Sequence, residues 1–337
     1  MYIQSKHRRI YRRFKQSQSL MRRLPGYFGI GLMIFFTFGC QEDIDVFEPA
    51  TLSSGDIMRF FGSVQTAPLQ HNWDVSEEQT IVVPGEGQVI IPANAFTQMD
   101  GSPVSGLVQA NLLEIHDKGS LIRFNIGTSS GGRILQLVSM INLDVRQEGR
   151  PLRLASGQTI LIRLATTAYR PEMRLFTAAP ADSGAIEWME APDTEKRIQA
   201  AQVFDPATDQ WLEGIEISAT SLGWMQCALY ANTTSGGKVP ACVKLPIGFT
   251  KHNTAVFLTL QNMNSVVPFN AFDETLPQVC QQGLPAGSKA EIIVISEGDE
   301  EEYYFARQPI IISENLKISV VPQKALLSDI LFALDNL

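Results

Sequence analysis

Apolar and polar residues alternate in short segments from about Gln79 onwards. Segments 108–113, 141–146 and 159–164 each place apolar side chains at every second position, with mainly polar side chains between them. A period of two is the pattern of a half-buried β-strand. In 141–146, for example, Ile, Leu and Val share one face, while Asn, Asp and Arg share the other.

Clusters of Gly and Pro separate these segments at 84–87, 100–103 and 148–151. Short alternating strands between turn signals predict an antiparallel sandwich. Strand-like segments resume after 169–171 and predict a second β-rich region: 174–176, 215–217, 222–230, 255–260, 291–295, 303–305, 310–312 and 317–321.

The tail of the chain changes to helical spacing. Leu326, Leu327, Ile330, Leu331 and Leu334 fall three or four residues apart after a proline. This periodicity predicts a closing helix that packs one face on a sheet. A helix on a membrane surface is less favoured, because only one basic residue lies in this segment.

The predicted fold class is therefore mainly β, with two antiparallel β-sandwich-like domains in series and a short C-terminal helix. The first sandwich is assigned to residues 77–168 and the second β-rich domain to 169–337. Residues 40–76 have little periodicity and are interpreted as an acidic tether and linker, with one ordered piece near 57–61.

Residues 1–39 have the composition of an export signal. They carry eight Lys and Arg residues and no acidic residue, and an apolar run at 27–36 follows the basic head. That run is about half the roughly twenty residues that a membrane-spanning helix needs, so an uncleaved anchor is the weaker interpretation. The basic head is long, and Met21 is an alternative start of translation.

The end of this signal predicts a lipid anchor on Cys40. Residues 37–40 place a small glycine before the cysteine, as in lipoprotein signals, although Phe38 is bulkier than usual. Acyl chains on the thiol would hold the chain at a membrane, at about 0.8 kcal/mol for each buried methylene. The expected location is the cell envelope, with the outer membrane favoured and the body facing either the cell surface or the periplasm. The acidic run 41–45 fits surface export, or is a solvated linker.

Removal of the signal leaves 19 basic residues against 35 acidic ones, a net charge of −16 in place of −8. This excess of acid excludes nucleic acid from the expected partners, since phosphate binding needs clustered cations.

Three cysteines remain beyond Cys40. An exported chain can oxidise two of them. Cys242 and Cys280 are the candidate disulfide, and Cys227, in an apolar run, is interpreted as a buried thiol. The sequence alone leaves all three pairings open, and none of the spacings resembles a zinc site.

Several segments, taken in order, resemble a family of Bacteroidota lipoproteins: 90–96, 101–104, 108–119, 128–132 and 151–154. The first domain of that family looks like the β-sandwich of ankyrins, netrin receptors and tight-junction scaffolds. The resemblance covers roughly 79–164 and implies a fold and an envelope location, but no reaction.

A second stretch also resembles that family, which usually has Gly-Trp-Ile-Asn-Cys-Asp-Arg-Phe there. This chain keeps Gly223, Trp224 and Cys227 but replaces the Asp-Arg pair with Ala228 and Leu229. If that pair binds a ligand in the family, this chain lacks it.

One catalytic pattern occurs, at 127–131, where Ser129 satisfies Gly-x-Ser-x-Gly. A hydrolase nucleophile of this type needs a helix after the serine, but residues 133–138 have the pattern of a strand. The only later histidine is His252. A glycine-rich hairpin is the favoured interpretation, and a serine hydrolase using Ser129 is the minor alternative; no catalytic residue is assigned.

No metal or cofactor is predicted. His71, His116 and His252 are scattered, and His116 is interpreted as a surface residue at a strand end. The acidic run 297–302 could attract calcium, but its position between two strand-like segments favours a solvated turn.

Tryptophans give the only candidate ligand contacts. Trp188 and Trp211 lie in polar stretches and could contact a glycan or a protein, whereas Trp224 has apolar neighbours and is expected in the core. The expected role is a lipid-anchored binding or scaffolding module, with a protein or glycan as the ligand. The alternatives are the hydrolase and a carbohydrate-binding lipoprotein.

Overall fold

A computed structural model describes residues 55–83, 87–166, 169–179, 186–193, 197–205, 208–232, 237–273, 275–299 and 302–337. The predicted fold class is confirmed: these residues are mainly β, in several antiparallel sheets, with a short C-terminal helix. The predicted signal and Cys40 lie outside the described residues.

The chain from 55 to 230 contains two helices and fifteen strands among its described residues. They are α1 (Ile57–Val64), β1 (Leu69–Asp74), β2 (Gln79–Val83), β3 (Gly87–Ile91), β4 (Phe96–Thr97), β5 (Leu107–Ile115), α2 (Lys118–Arg123), β6 (Ser129–Ser130), β7 (Arg133–Gln147), β8 (Arg150–Pro151), β9 (Arg153–Leu154), β10 (Ile160–Ala165), β11 (Arg174–Ala179), β12 (Glu187–Glu190), β13 (Ile198–Asp205), β14 (Gln210–Ala219) and β15 (Gly223–Tyr230).

The described chain beyond 237 adds nine strands and the closing helix. They are β16 (Lys238–Lys244), β17 (Thr254–Leu260), β18 (Val266–Pro268), β19 (Ala271–Phe272), β20 (Gln278–Pro285), β21 (Lys289–Glu297), β22 (Tyr303–Ile311), β23 (Leu316–Ser319), β24 (Gln323–Ala325) and α3 (Leu327–Asp335).

Among the described residues, four larger sheets make up the body, and β4 and β9 form a separate two-stranded sheet. Sheet 1 has the order β1-β5-β7-β15-β11-β12, with β6 and β8 also paired to β7, and sheet 2 has the order β13-β14-β10-β3-β2. Sheet 3 has the order β18-β17-β21-β22-β24, and sheet 4 has the order β19-β20-β16-β23. Sheets 1 and 2 enclose one hydrophobic core, and sheets 3 and 4 enclose another.

The predicted domain boundary at 168/169 does not match the strand pairing. Strand β10, before the boundary, pairs with β14, after it, so that Leu164 lies opposite Ile215. Strand β7 likewise pairs with β15, with Leu143 opposite Gly223. The first sandwich therefore continues to Tyr230. Alternation within a strand does not reveal its partner, and the sequence analysis placed these later strands in the wrong sandwich.

A third core, here called the middle core, joins the two sandwiches. Sheet 1 contributes Leu135 and Met140 to it, and sheet 3 contributes Phe257 and Ile293. Sheets 1 and 3 are thus buried on both faces. Two-sided burial explains near-continuous apolar runs such as 292–295, which no longer alternate.

A β-bulge in β7 decides which side chains reach the middle core. The pairing with β15 shifts between Cys227 and Ala228, and Val138 is left without an opposite residue. One extra residue inverts the alternation of a strand. Leu137 before the bulge and Met140 after it therefore lie in the same core.

In the described part of the predicted tether, the ordered piece expected near 57–61 is confirmed as α1, whereas the interpretation of the remainder as a linker is wrong, because it includes β1. Asp56 caps α1 by accepting a hydrogen bond from the Met58 N–H at 2.9 Å. Phe60 and Phe61 are buried in the middle core, and β1 forms the edge of sheet 1. The adjacent aromatic residues Phe60 and Phe61 give α1 the apolar surface that packs it into the middle core.

The buried carboxylate of Glu297, at the end of β21, holds α1 against the second sandwich. It accepts a hydrogen bond from the Phe60 N–H at 2.8 Å and pairs with Arg59 at 2.9 Å. Burial raises the pKa of Glu297, while Arg59 and the Phe60 N–H offset part of that rise. A Cβ on Gly55 would fall 1.6 Å from the Glu297 carbonyl oxygen, so only glycine fits this approach.

Buried polar contacts fix the two sandwiches together. The Thr128 N–H donates to the Val266 carbonyl at 2.8 Å, and the Val266 N–H donates back to the Thr128 hydroxyl at 3.0 Å. The Ser265 hydroxyl donates to the Leu135 carbonyl at 2.6 Å. Because these groups are buried, leaving any of them unpaired would be costly, and the contacts select one relative orientation.

The predicted C-terminal helix is confirmed as α3. Its apolar face, with Ile330 and Leu334, packs in the middle core. Arg123 of α2 pairs with Asp335 at 2.5 Å. Among the described residues, none of the helices is long and apolar enough to cross a membrane.

Replacing Glu297 with Ala should lower the free energy of unfolding by about 1 to 3 kcal/mol, because the buried Phe60 N–H loses its acceptor. Urea denaturation measures the change. The matched control is Glu302→Ala, which removes the exposed ion pair with Lys324 and should cost less than about 1 kcal/mol. Equal losses in the two variants would show that Glu297 has no special role.

Candidate ligand-binding cleft

The serine of the predicted hydrolase motif lies in a hairpin. Ser129 and Ser130 form β6, which turns back through Gly131 and Gly132, both at positive φ, into β7. This is the two-residue turn that the glycines favour. A nucleophile elbow needs a helix at this point. The Ser130 hydroxyl donates to the Trp188 carbonyl at 2.7 Å, so the hairpin has a structural contact.

The disulfide between Cys242 and Cys280 is confirmed. The two residues lie directly opposite each other on β16 and β20, with their Cα atoms 4.1 Å apart. Cys227 is a free thiol, as expected, and burial raises its pKa to about 12. A thiol with that pKa stays protonated and is not a nucleophile at neutral pH.

The described part of the chain contains no cluster of three or more His, Cys, Asp or Glu residues able to hold a metal ion. The described ends of the acidic run 297–302 lie between β21 and β22, where the Gly298 N–H donates to the Glu302 carbonyl at 2.6 Å. Residues 300 and 301 lie outside the description. His116 follows the end of β5 and is exposed.

The prediction that Trp188 contacts a ligand is wrong. Its side chain is 1% exposed and belongs to the middle core. The indole Nε1–H donates to the Gly127 carbonyl at 2.8 Å. The polar neighbours along the chain misled the prediction, because strand β12 turns those neighbours to solvent and Trp188 inward.

Trp211 is accessible, in keeping with its selection as a candidate contact. It is 64% exposed on β14, and its ring centroid lies 5.3 Å from that of Phe204 on the adjacent strand. The exposed Trp211 and the half-buried Phe204 form an aromatic surface at the pairing of β13 with β14.

Trp224, expected in the core, packs against the middle core and also lines a cleft at its edge. The residue is partly exposed on β15, and its ring meets that of Phe124 edge to face, with centroids 6.1 Å apart. The cleft has a volume of about 620 Å³, within the range of small-molecule sites. The apolar segment 224–230 indicated burial correctly, but Trp224 lies at its outer end.

One wall of this Trp224 cleft is apolar. Besides Phe124 and Ile126, which follow α2, it includes Met58 and Phe61 of α1. Met58 is 61% exposed. The segment predicted to be a tether therefore forms part of the cleft, and the sequence analysis missed this because no local signal links α1 to sheet 1.

The opposite wall is a row of polar side chains on sheet 1. Asn111 of β5 and Asn142, Asp144 and Arg146 of β7 line the cleft. The sequence analysis placed the last three on one face of their strand, which is confirmed, but did not predict a cleft on that face. These polar side chains lie on the same face of sheet 1 that, further along its strands, packs in the middle core.

Ion pairing and hydrogen bonding fix the carboxylate in this row. Arg146 Nε lies 2.5 Å from Asp144 Oδ2, and Asn111 Nδ2 donates to the same oxygen at 3.3 Å. Arg146 also donates to the Gly149 carbonyl at 3.2 Å. By contrast, the side chain of Asn142 has no hydrogen bond to any described residue, and its amide is available to a ligand.

Behind Trp224, the same face of β15 carries Gln226. The side chain is 1% exposed, and neither of its polar atoms has a hydrogen-bond partner among the described residues. Burying an unpaired amide costs stability. Gln226 lies opposite Met140 and Phe176 on the floor of the middle core, and the described residues offer no structural reason for its polarity.

Glu114, beside His116, is a half-buried acid on β5. Burial raises its pKa from 4.5 to about 7, and a hydrogen bond from Ser139 offsets only part of that rise. Its second oxygen has no partner among the described residues. The group lines none of the clefts described here, so its effect is expected on stability.

Comparisons with known proteins give no match from which a function could be inferred, so the function is inferred from the geometry of the site. No protein-family model matches the chain, and no curated protein matches it.

Because the pKa of Glu114 is higher in the folded than in the unfolded chain, the folded state binds the extra proton. Stability should therefore fall as the pH rises from 4.5 to about 7. Glu114→Gln should remove this fall. Compared with the wild type, the free energy of unfolding of the variant should be unchanged near pH 4.5 and higher by about 2 to 3 kcal/mol at pH 8. Urea denaturation at several pH values measures it, and a gain independent of pH would contradict the assignment.

Proposed function

We propose that this chain is an exported, lipid-anchored binding protein of the cell envelope, and that it holds its ligand in the Trp224 cleft. The anchor rests on sequence: a basic head, a short apolar run and the Gly39-Cys40 pair. The acidic balance after removal of the signal suits a soluble body outside the cytoplasm.

The observation that carries the binding role is the composition of the cleft. The partly exposed indole of Trp224 lies beside a row of polar side chains on the same face of sheet 1, in a cleft of about 620 Å³. Ligand sites combine an apolar surface, which supplies affinity, with a few placed polar groups, which supply specificity. Asn142, with no hydrogen bond to a described residue, is such a group.

A hydrolytic role has no comparable support. Ser129 lies in a tight hairpin next to a buried structural contact, and its neighbour Ser130 is already bonded to the Trp188 carbonyl. A role for the aromatic pair of Trp211 and Phe204 in carbohydrate binding remains the second candidate, favoured by the exposure of Trp211.

The anchor is tested by Cys40→Ala in the full chain. The wild type should incorporate labelled palmitate and fractionate with membranes, whereas the variant should do neither, because no thiol remains to accept the lipid. Cys227→Ala is the matched control and should leave labelling unchanged, since that thiol is buried. Labelling that survives in Cys40→Ala would refute the anchor.

The site is tested without assuming a ligand class. Native mass spectrometry of the protein isolated from its own envelope should show a bound adduct on the wild type. Trp224→Ala should lose it, because the indole that lines the cleft is removed, while Trp211→Ala should retain it. An adduct kept by Trp224→Ala but lost by Trp211→Ala would assign binding to that aromatic pair instead.

A further inference from the structure

We infer that the Trp224 cleft binds a neutral saccharide, with one sugar ring packed on the indole of Trp224 and its hydroxyl groups bonded by Asn142 and Asp144. This inference rests on the proposed function, which makes the cleft the ligand site, and adds the chemical class of the ligand.

The geometry brings the stacking surface and the polar groups together. Trp224 and Asn142 lie directly opposite each other on β15 and β7. Directly opposed side chains in an antiparallel pair are about 5 Å apart, and the diagonal neighbour lies about 7 to 8 Å away. Asp144 occupies that diagonal position, and Asn111 lies opposite it on β5. A six-membered ring over Trp224 would thus have its edge above Asn142 and Asp144.

The hydrogen-bonding chemistry of this row fits hydroxyl groups. A hydroxyl both donates and accepts, and a primary amide such as that of Asn142 can match both roles. A carboxylate is purely an acceptor. Asp144 is held in place by Arg146 and Asn111, so that it need not reorganise when a ligand binds. Preorganised polar groups of this kind raise affinity by lowering the ordering cost.

The charge of the cleft favours a neutral ligand. Its charged lining residues are Asp144 and Arg146, and these two neutralise each other at 2.5 Å. A phosphate or carboxylate ligand would need a cation without a carboxylate partner, preferably in bidentate geometry. The pair therefore disfavours phosphorylated and uronic-acid ligands, while the apolar wall of Phe124 and Met58 suits the C–H faces of a sugar.

The full-length lipoprotein in detergent would be tested against arrayed oligosaccharides, both neutral and acidic. We expect binding to neutral glycans. Asn142→Ala should weaken it about tenfold, because one hydrogen-bonding group is lost. This variant should fold normally, since the side chain makes no hydrogen bond to a described residue. Trp224→Ala should weaken it at least as much, and unfolding curves for both variants check that the fold survives.

A charge variant makes the test independent of Trp224. Asp144→Asn leaves Arg146 without its carboxylate and should shift preference towards uronic-acid glycans. Binding by the wild type to acidic glycans alone, or neutral-glycan binding unaffected by Asn142→Ala and Trp224→Ala, would overturn the inference.

The failures of the two proposals are distinguishable. A non-carbohydrate adduct that native mass spectrometry finds on the wild type and not on Trp224→Ala would leave the cleft as the ligand site and refute the saccharide. Absence of both an adduct and any glycan binding would refute the site together with the saccharide.

Discussion

Burial of sheets 1 and 3 on both faces is the constraint on which the rest of the structure depends. Each of these sheets closes its own sandwich on one side and the middle core on the other. The helices α1, α2 and α3 contribute apolar side chains to the same middle core. Sheet 1 also extends beyond that core, and there its face becomes polar and forms the Trp224 cleft. The cleft thus lies at the edge of the middle core, which joins the two sandwiches.

The bulge at Val138 determines what the cleft displays. With an uninterrupted β7, the residues that follow would exchange faces, and Ile141 and Leu143 would point towards the cleft. The extra residue instead turns Asn142 and Asp144 there and keeps the apolar residues in the first core. The single inserted residue therefore leaves the apolar side chains before it in the middle core and directs the polar side chains after it into the cleft. Two-residue periodicity alone does not reveal such an inversion.

Local features were predictable from sequence, and long-range partners were not. The alternation in 141–146, the hairpin glycines at 131–132 and helical spacing near the C-terminus all led to correct elements, because each depends on residues close in the chain. The domain boundary failed because pairing between β10 and β14 depends on distant residues. Trp188 was misplaced for a related reason: composition around a residue does not say which sheet covers it.

The contact between α1 and Glu297 has a mechanical consequence for the proposed lipid anchor. Fourteen residues lie between Cys40 and Gly55, and a fully extended chain spanning them reaches about 50 Å. Tension in such a leash would arrive first at α1, where Arg59 and the Phe60 N–H are held by Glu297. The load would therefore pass through Glu297 into the second sandwich, and because α1 also supplies part of a wall of the Trp224 cleft, a pull from the membrane would strain that cleft as well.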